Sequence, residues 1–231
     1  MKKWFLILAV LIIAGALSAG TFNGTIRNTT ASHGNLMIAA IGGSTDIDLM
    51  SLPSLRVPTP DYPYHYSLTD SSIGFLTPFF VLAYQYSFLP MPASGAPFGA
   101  HPDPVIPFGD VTNDVDIILW SDGDIGGRIY YEGSFDHVRI DVYDAFSGFM
   151  GDPELESSHH IGTNSYFLGH IPSGLKQLMA YDDINRNRRY DEGEPYGWYT
   201  MSIIGIELPM EYCICTGPNS AEGCDITIDF Y

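Results

Sequence analysis

Ala180-Tyr181-Asp182-Asp183-Ile184-Asn185-Arg186-Asn187-Arg188-Arg189-Tyr190-Asp191-Glu192-Gly193-Glu194-Pro195-Tyr196-Gly197 is the stretch on which the reading of this chain turns. It begins as the end of an apolar strand, runs through a polar loop and closes in a Gly-x-Pro-x-Gly turn. Asp183, Asn185, Asn187, Asp191 and Glu194 put side-chain oxygens at positions 1, 3, 5, 9 and 12 of a twelve-residue window. Arg189, at position 7, can offer only its backbone carbonyl. Placing an oxygen on every second residue turns each in succession toward the inside of a curling loop. A calcium ion needs such a loop, because it collects about six to eight oxygens at roughly 2.3–2.6 Å. The expected site is one calcium ion held by Asp183, Asn185, Asn187, Arg189, Asp191 and Glu194. The competing reading is a surface turn whose Asp and Asn side chains bond to their own backbone.

Two departures separate this loop from an EF-hand. Position 6 is Arg188 rather than glycine, so the turn must differ or accept a strained positive φ. The flanks read as strands, not helices. Arg186, Arg188 and Arg189 offset the three carboxylates, which predicts a moderate affinity suited to millimolar extracellular calcium.

Working outward, the same turn occurs twice. Ala83-Tyr84 precedes Gly95-Ala96-Pro97-Phe98-Gly99, as Ala180-Tyr181 precedes Gly193 to Gly197. Each half opens with a similar strand, Gly24 to Arg27 and Gly127 to Tyr130. Each closes with another, Asp114 to Ile118 and Asp225 to Asp229. The boundary is placed at Ser121-Asp122-Gly123-Asp124, read as a polar linker. Val138, Ile140 and Val142 alternate with Arg139, Asp141 and Tyr143, the period of a half-buried strand. With 24 Gly and 16 Pro, breakers interrupt nearly every helical window, and an all-β chain of sandwiches is expected. The apolar run Ile73 to Tyr84 contains Pro78 and is read as a buried strand, not a membrane span.

Residues 1–20 read as a signal peptide: Lys2 and Lys3, an apolar run from Trp4 to Leu17, then Ser18-Ala19-Gly20. An uncleaved N-terminal anchor is the alternative. The expected domains are therefore 21–121, whose loop 85–94 has no carboxylate, and 122–231, which carries the calcium loop. All 27 acidic residues lie beyond residue 20, against eight basic ones, a mature charge of −19. That excludes nucleic acid as a partner, disfavours anionic membranes and suits a secreted, periplasmic or cell-surface protein. Cys213, Cys215 and Cys224 suggest a local disulfide, Cys224 with Cys213 or Cys215, with a soft-metal site as the rival.

Tyr181 to Asn187, continuing through Asp191-Glu192-Gly193-Glu194-Pro195-Tyr196-Gly197, resembles the D-x-N-x-N…D-x-G-E-P-x-G segment of secreted bacterial β-sandwich modules. These are the transthyretin-like (prealbumin-like) or carboxypeptidase-regulatory-like domains. The resemblance extends over residues 124–231 and in outline over 21–121. It implies two tandem Greek-key β-sandwiches that are usually non-catalytic. Arg188 and a cysteine-bearing insertion at 209–224 depart from the pattern.

Other constellations carry less. His159-His160 follows Glu154 and Glu156 but reads as an exposed loop, and His101, His137 and His170 stand alone. Asp114, Asp116, Asp122 and Asp124 are read as solvated linker rather than a second ion site. No nucleophile elbow, zinc helix or phosphate loop is present, so no catalytic residue is assigned. The expected role is binding or structural, with an unknown protein or glycan at the cell surface as partner. One alternative is an accessory carbohydrate- or peptide-binding subunit, using the aromatic residues of the first half (Tyr62, Tyr64, Tyr66, Phe75, Phe79, Phe80, Tyr84, Tyr86 and Phe88). Another is a hydrolase with a site the motifs do not reveal.

Overall fold

The computed structural model describes residues 19–42, 52–74, 77–87, 95–145, 154–200, 202–203, 206–207, 213–221 and 223–229. The signal-peptide reading falls almost wholly on residues 1–18, outside the described residues, as do Phe75 and Phe88. The described chain is almost wholly β; a single 3-10 turn, Phe135–His137, is its one helical element. No helix among the described residues is long and apolar enough to cross a membrane. The chain divides into two compact units, residues 1–90 with 99–119, and residues 91–98 with 120–231.

The first unit contains β1 (Gly20–Asn28), β2 (Asn35–Gly42), β3 (Ser54–Val57), β4 (Tyr64–Asp70), β5 (Phe79–Tyr86), β6 (Phe98–Ala100), β7 (Val111–Thr112) and β8 (Ile117–Leu119). One sheet runs β3-β2-β5-β6. In the other, β1 pairs antiparallel with β4 and parallel with β7 and β8. Phe22 and Ile26 from one sheet meet Leu36, Ile38, Val81 and Ala83 from the other in a single core. Of the run Ile73 to Tyr84 read as a buried strand, only the part from Phe79 on is strand, β5, and it is buried on both faces from Phe79 to Gln85; Ile73, Gly74, Thr77 and Pro78 lie outside any strand.

The second unit contains β9 (Asp122–Tyr130), β10 (Val138–Asp144), β11 (Glu154–His160), β12 (Ser165–Pro172), β13 (Gly174–Asp182), β14 (Tyr196–Trp198), the hairpin β15 (Ser202–Ile203) and β16 (Ile206–Glu207), β17 (Cys213–Cys215), β18 (Gly217–Ala221) and β19 (Ile226–Thr227). One sheet runs β11-β10-β13-β14, with β17 also on β13. In the other, β9 pairs antiparallel with β12 and parallel with β18 and β19. Val138, Ile140 and Val142 of β10 face inward, as their alternation predicts, against Ile125, Ile129, Leu168 and Ile226. This strand order repeats that of the first unit.

The repeat has a steric cause. A Cβ on Gly99 would lie 2.2 Å from the Ile118 carbonyl oxygen, and one on Gly197 would lie 1.7 Å from that of Thr227. The final glycine of each Gly-x-Pro-x-Gly turn therefore lets its strand pass close under the last strand of its unit. A second matched pair sits at the centre of each opening strand. Tyr66 donates to the Val115 carbonyl above Gly24, and Tyr166 donates to the Cys224 carbonyl above Gly127.

Three local expectations are corrected. Asp122 to Asp124 is not a linker but the start of β9, because the bare Gly123 backbone pairs with Gly217 of β18. His159 and His160 end a strand, β11, rather than occupying a loop. The expected disulfide is not formed, although Cys213 and Cys224, one of the two pairs expected, lie together in the core with their sulfurs 2.6 Å apart; the Cys215 sulfur lies 3.7 Å from the Ile171 carbonyl oxygen.

Candidate metal centre

The loop 183–194 connects two adjacent strands, β13 and β14, whose ends are tied where Asp182 N donates to Pro195 O at 2.9 Å. Tyr190 folds back onto Tyr181 and Tyr196, with ring centroids 6.0 and 5.0 Å away. Asp183, buried at the base, accepts Asn187 N on one carboxylate oxygen and Arg188 N on the other, each at 2.9 Å. Asn185 Oδ1 accepts Asn187 N at 3.0 Å, and Asn187 Oδ1 accepts Arg189 N at 2.8 Å. Both Asn side chains reach one carboxylate oxygen of Asp191, at 2.6 and 2.5 Å. Asp191 N donates to Glu194 Oε2 at 3.0 Å, and Glu194 N donates to Asp191 O at 3.1 Å.

The side chains named from the sequence thus curl into one loop. Asn185, Asn187 and Asp191 touch directly, Asp183 pins the base and Glu194 closes the end. Arg189 contributes its backbone to the curl and keeps an exposed side chain. Each amide or carboxylate oxygen that accepts one N–H retains lone-pair capacity. Glu194 is buried, and its Oε1 has no hydrogen-bond partner among the described residues. An orphaned buried carboxylate oxygen is costly and calls for a positive partner. The acidic groups are not clustered by themselves: among the described residues no three His, Cys, Asp or Glu gather as a metal-holding group. Any cation here would depend on the two Asn oxygens and a backbone carbonyl as well as the carboxylates, an oxygen set that suits calcium and not a softer metal.

The glycine missing from position 6 is answered by strain. Arg188 adopts φ 67°, and Arg186, two residues earlier, adopts φ 61°. Left-handed backbone costs a non-glycine residue roughly 1–2 kcal/mol. The two bonds from Asp183 to Asn187 and Arg188, and one from Arg186 N to Asp183 O at 3.1 Å, hold the loop in that shape.

Sequence reasoning missed two groups, one beside the loop and one at the far end of β13. Asp182 accepts the Tyr131 hydroxyl at 2.6 Å, and its other oxygen is buried without a hydrogen-bond partner among the described residues. Burial, reinforced by that carboxylate, pushes the Tyr131 phenol well above its ordinary range. Lys176 is fully buried and pairs with Glu156 at 2.7 Å. Its signal was present: Lys176 shares the inward parity of Leu178 and Ala180 on β13. On the outer face of β10, burial raises the Asp141 carboxyl, although bonds from Tyr143 and Tyr181 at 3.3 and 3.4 Å work against the shift.

The remaining candidates resolve into local contacts. His101 bonds to the Asp103 carbonyl, His159 to Ser157, His160 to the Asp136 carbonyl, and His170 lies 3.3 Å from Asp122. In the first unit, Asp116 accepts the Thr25 amide at 2.8 Å. Tyr66, Phe79, Phe80 and Tyr84 are buried, and Tyr62 and Tyr64 pack against the core, so these rings form no exposed platform. Of the first unit's counterpart loop, only Gln85 to Ser87 is described, and Gln85 there bonds to Tyr62 and the Ser32 carbonyl.

No family model matches the sequence, and no curated protein does. Among solved structures, the chain aligns over 91% of its length with a streptococcal ancillary pilin, at 7% identity and a TM-score of 0.26, spanning 62% of that chain. It aligns over 92% with the Bacillus anthracis TIE protein, at 8% identity and a TM-score of 0.27, spanning 34% of that chain. With the shaft pilin spaA of Lactobacillus rhamnosus GG it aligns over 91%, at 8% identity and a TM-score of 0.20, spanning 97% of that chain. TM-scores this low carry nothing over to this chain, whose architecture rests on its own strand order.

Proposed function

We propose that this chain is an exported, non-catalytic structural or binding protein built of two tandem modules of the transthyretin-like kind, the second stapled by one calcium ion. The strand order common to both units supports the tandem reading. The ion sits in the 183–194 loop, held by side-chain oxygens of Asp183, Asn185, Asn187, Asp191 and Glu194 and the Arg189 carbonyl. The observation that carries it is the buried Glu194 Oε1, without a hydrogen-bond partner among the described residues, closing a loop in which Asn185 and Asn187 already meet Asp191. Bound there, the ion would tie β13 to β14 and offset the strain at Arg186 and Arg188. It is a brace, not a sensor, because the loop's flanks are paired strands with no helices to reorient.

Thermal unfolding in calcium and in chelator tests this. At a hundredfold excess over Kd, binding adds about 2.7 kcal/mol, a shift of several degrees for a unit of this size. Asp183→Ala combined with Glu194→Ala removes the shift. A wild-type protein indifferent to calcium, or a double variant that still responds, overturns the assignment.

A further inference from the structure

We propose that the second unit carries an oxyanion-binding cleft on the outer side of the same loop. Residues 122–231 hold six basic and nineteen acidic residues, a net charge of −13. Three of those six, Arg139, Arg186 and Arg188, line one cleft of about 470 Å³ together with His137 and His160. Arg139 and His160 are direct partners across β10 and β11, so the sheet brings them side by side. Ser158 Oγ accepts from Arg139 Nε at 3.1 Å and from Nη2 at 2.9 Å, which fixes the guanidinium. The His160 Nε2 is held at 2.9 Å from the Asp136 carbonyl oxygen.

The cleft is cationic in a unit that is strongly anionic. Among the described residues Asp136 and Asp183 are the only carboxylates that line it, with Asp141 beside Arg139 on the same face of β10, and both oxygens of Asp183 already accept backbone N–H groups. Among the described residues, neither Arg186 nor Arg188 forms an ion pair, despite the surrounding excess of carboxylates. Guanidinium forks match the paired oxygens of carboxylate and phosphate groups. The ligand class is therefore a small oxyanion, carried free or on a larger molecule. The cleft does not require the loop cation. A cation at Asp183 would offset one of the carboxylates that line the cleft and tighten the anion, and the anion would tighten the cation by the same factor.

The test is calorimetric titration of the full chain in chelator with inorganic phosphate and, separately, with succinate. Working without calcium keeps this result independent of the cation reading. Saturable binding of one or both is expected, and which one binds distinguishes phosphate from carboxylate recognition. Arg186→Gln with Arg188→Gln should weaken binding at least about tenfold, since each lost bond to a charged group is worth that much. Arg128→Gln removes the same kind of charge outside the cleft and should leave affinity unchanged. Arg186→Gln alone serves if the double variant fails to fold. No saturable binding of either anion, a cleft variant that binds like wild type, or an equal loss in Arg128→Gln overturns the proposal.

Discussion

Lys176→Met should destabilise the second unit by about 3–5 kcal/mol, whereas Lys176→Met with Glu156→Leu should cost less than about 1.5 kcal/mol. The Lys176 side chain is 0% exposed and that of Glu156 10%, with 2.7 Å between charged atoms. At an effective dielectric of about 20, that separation gives a gross attraction of roughly 6 kcal/mol. Desolvating the two ions takes back several kcal/mol each, so the intact pair contributes little net stability. Removing the ammonium alone leaves the Glu156 carboxylate buried without its counter-ion, and that is the source of the large cost. Asp144, opposite Lys176 in register and also buried, is present in both variants, so it drops out of the difference between them, at least about 1.5 kcal/mol, and that difference isolates the Glu156 carboxylate. The internal repeat supplies a precedent: four residues before Ala83, as Lys176 stands before Ala180, is Phe79, a core residue of the first unit. Urea unfolding followed by circular dichroism measures both differences at matched m-values. A harmless single substitution, or a double variant as unstable as the single, refutes the reasoning.

Gly197→Ala should destabilise the second unit by more than about 3 kcal/mol, because a rigid backbone oxygen stands 1.7 Å from the new methyl. Gly95→Ala meets open space at φ 72° and should cost only about 1–2 kcal/mol, as denaturant midpoints will show. Burial pushes the Cys215 thiol up to about 12, so iodoacetamide at pH 8 should spare it in the folded protein and label it in urea. Burial also raises the Tyr84 and Tyr181 phenols to about 12. Their folded values exceed the ordinary 10.0, so the neutral form is favoured and its stability is intact below pH 10 and lost as pH rises through 12. Phenolate absorbance from these two should appear late, together with loss of the β-sheet signal; early ionisation without unfolding contradicts this.

The sequence by itself determined the β class, because the alternation in Val138 to Tyr143 and the density of Gly and Pro are local signals that leave little room for helices. It also determined the repeat, since each Gly-x-Pro-x-Gly turn answers the same close approach of two strands. The window from Asp183 to Glu194 showed its oxygens in advance, because a loop closed by one hairpin keeps sequence neighbours as spatial neighbours. Other features were decided only by tertiary structure. Asp122 to Asp124 looked like a linker because its pairing partner, Gly217, lies far along the chain. Lys176 looked like an ordinary strand residue until sheet packing placed it inside with Glu156. The orphaned Glu194 oxygen and the cleft of Arg139, Arg186 and Arg188 depend on burial and on contacts between strands distant in sequence. Composition alone gives the net charge of −17, but it cannot show that a few positive charges share one cleft.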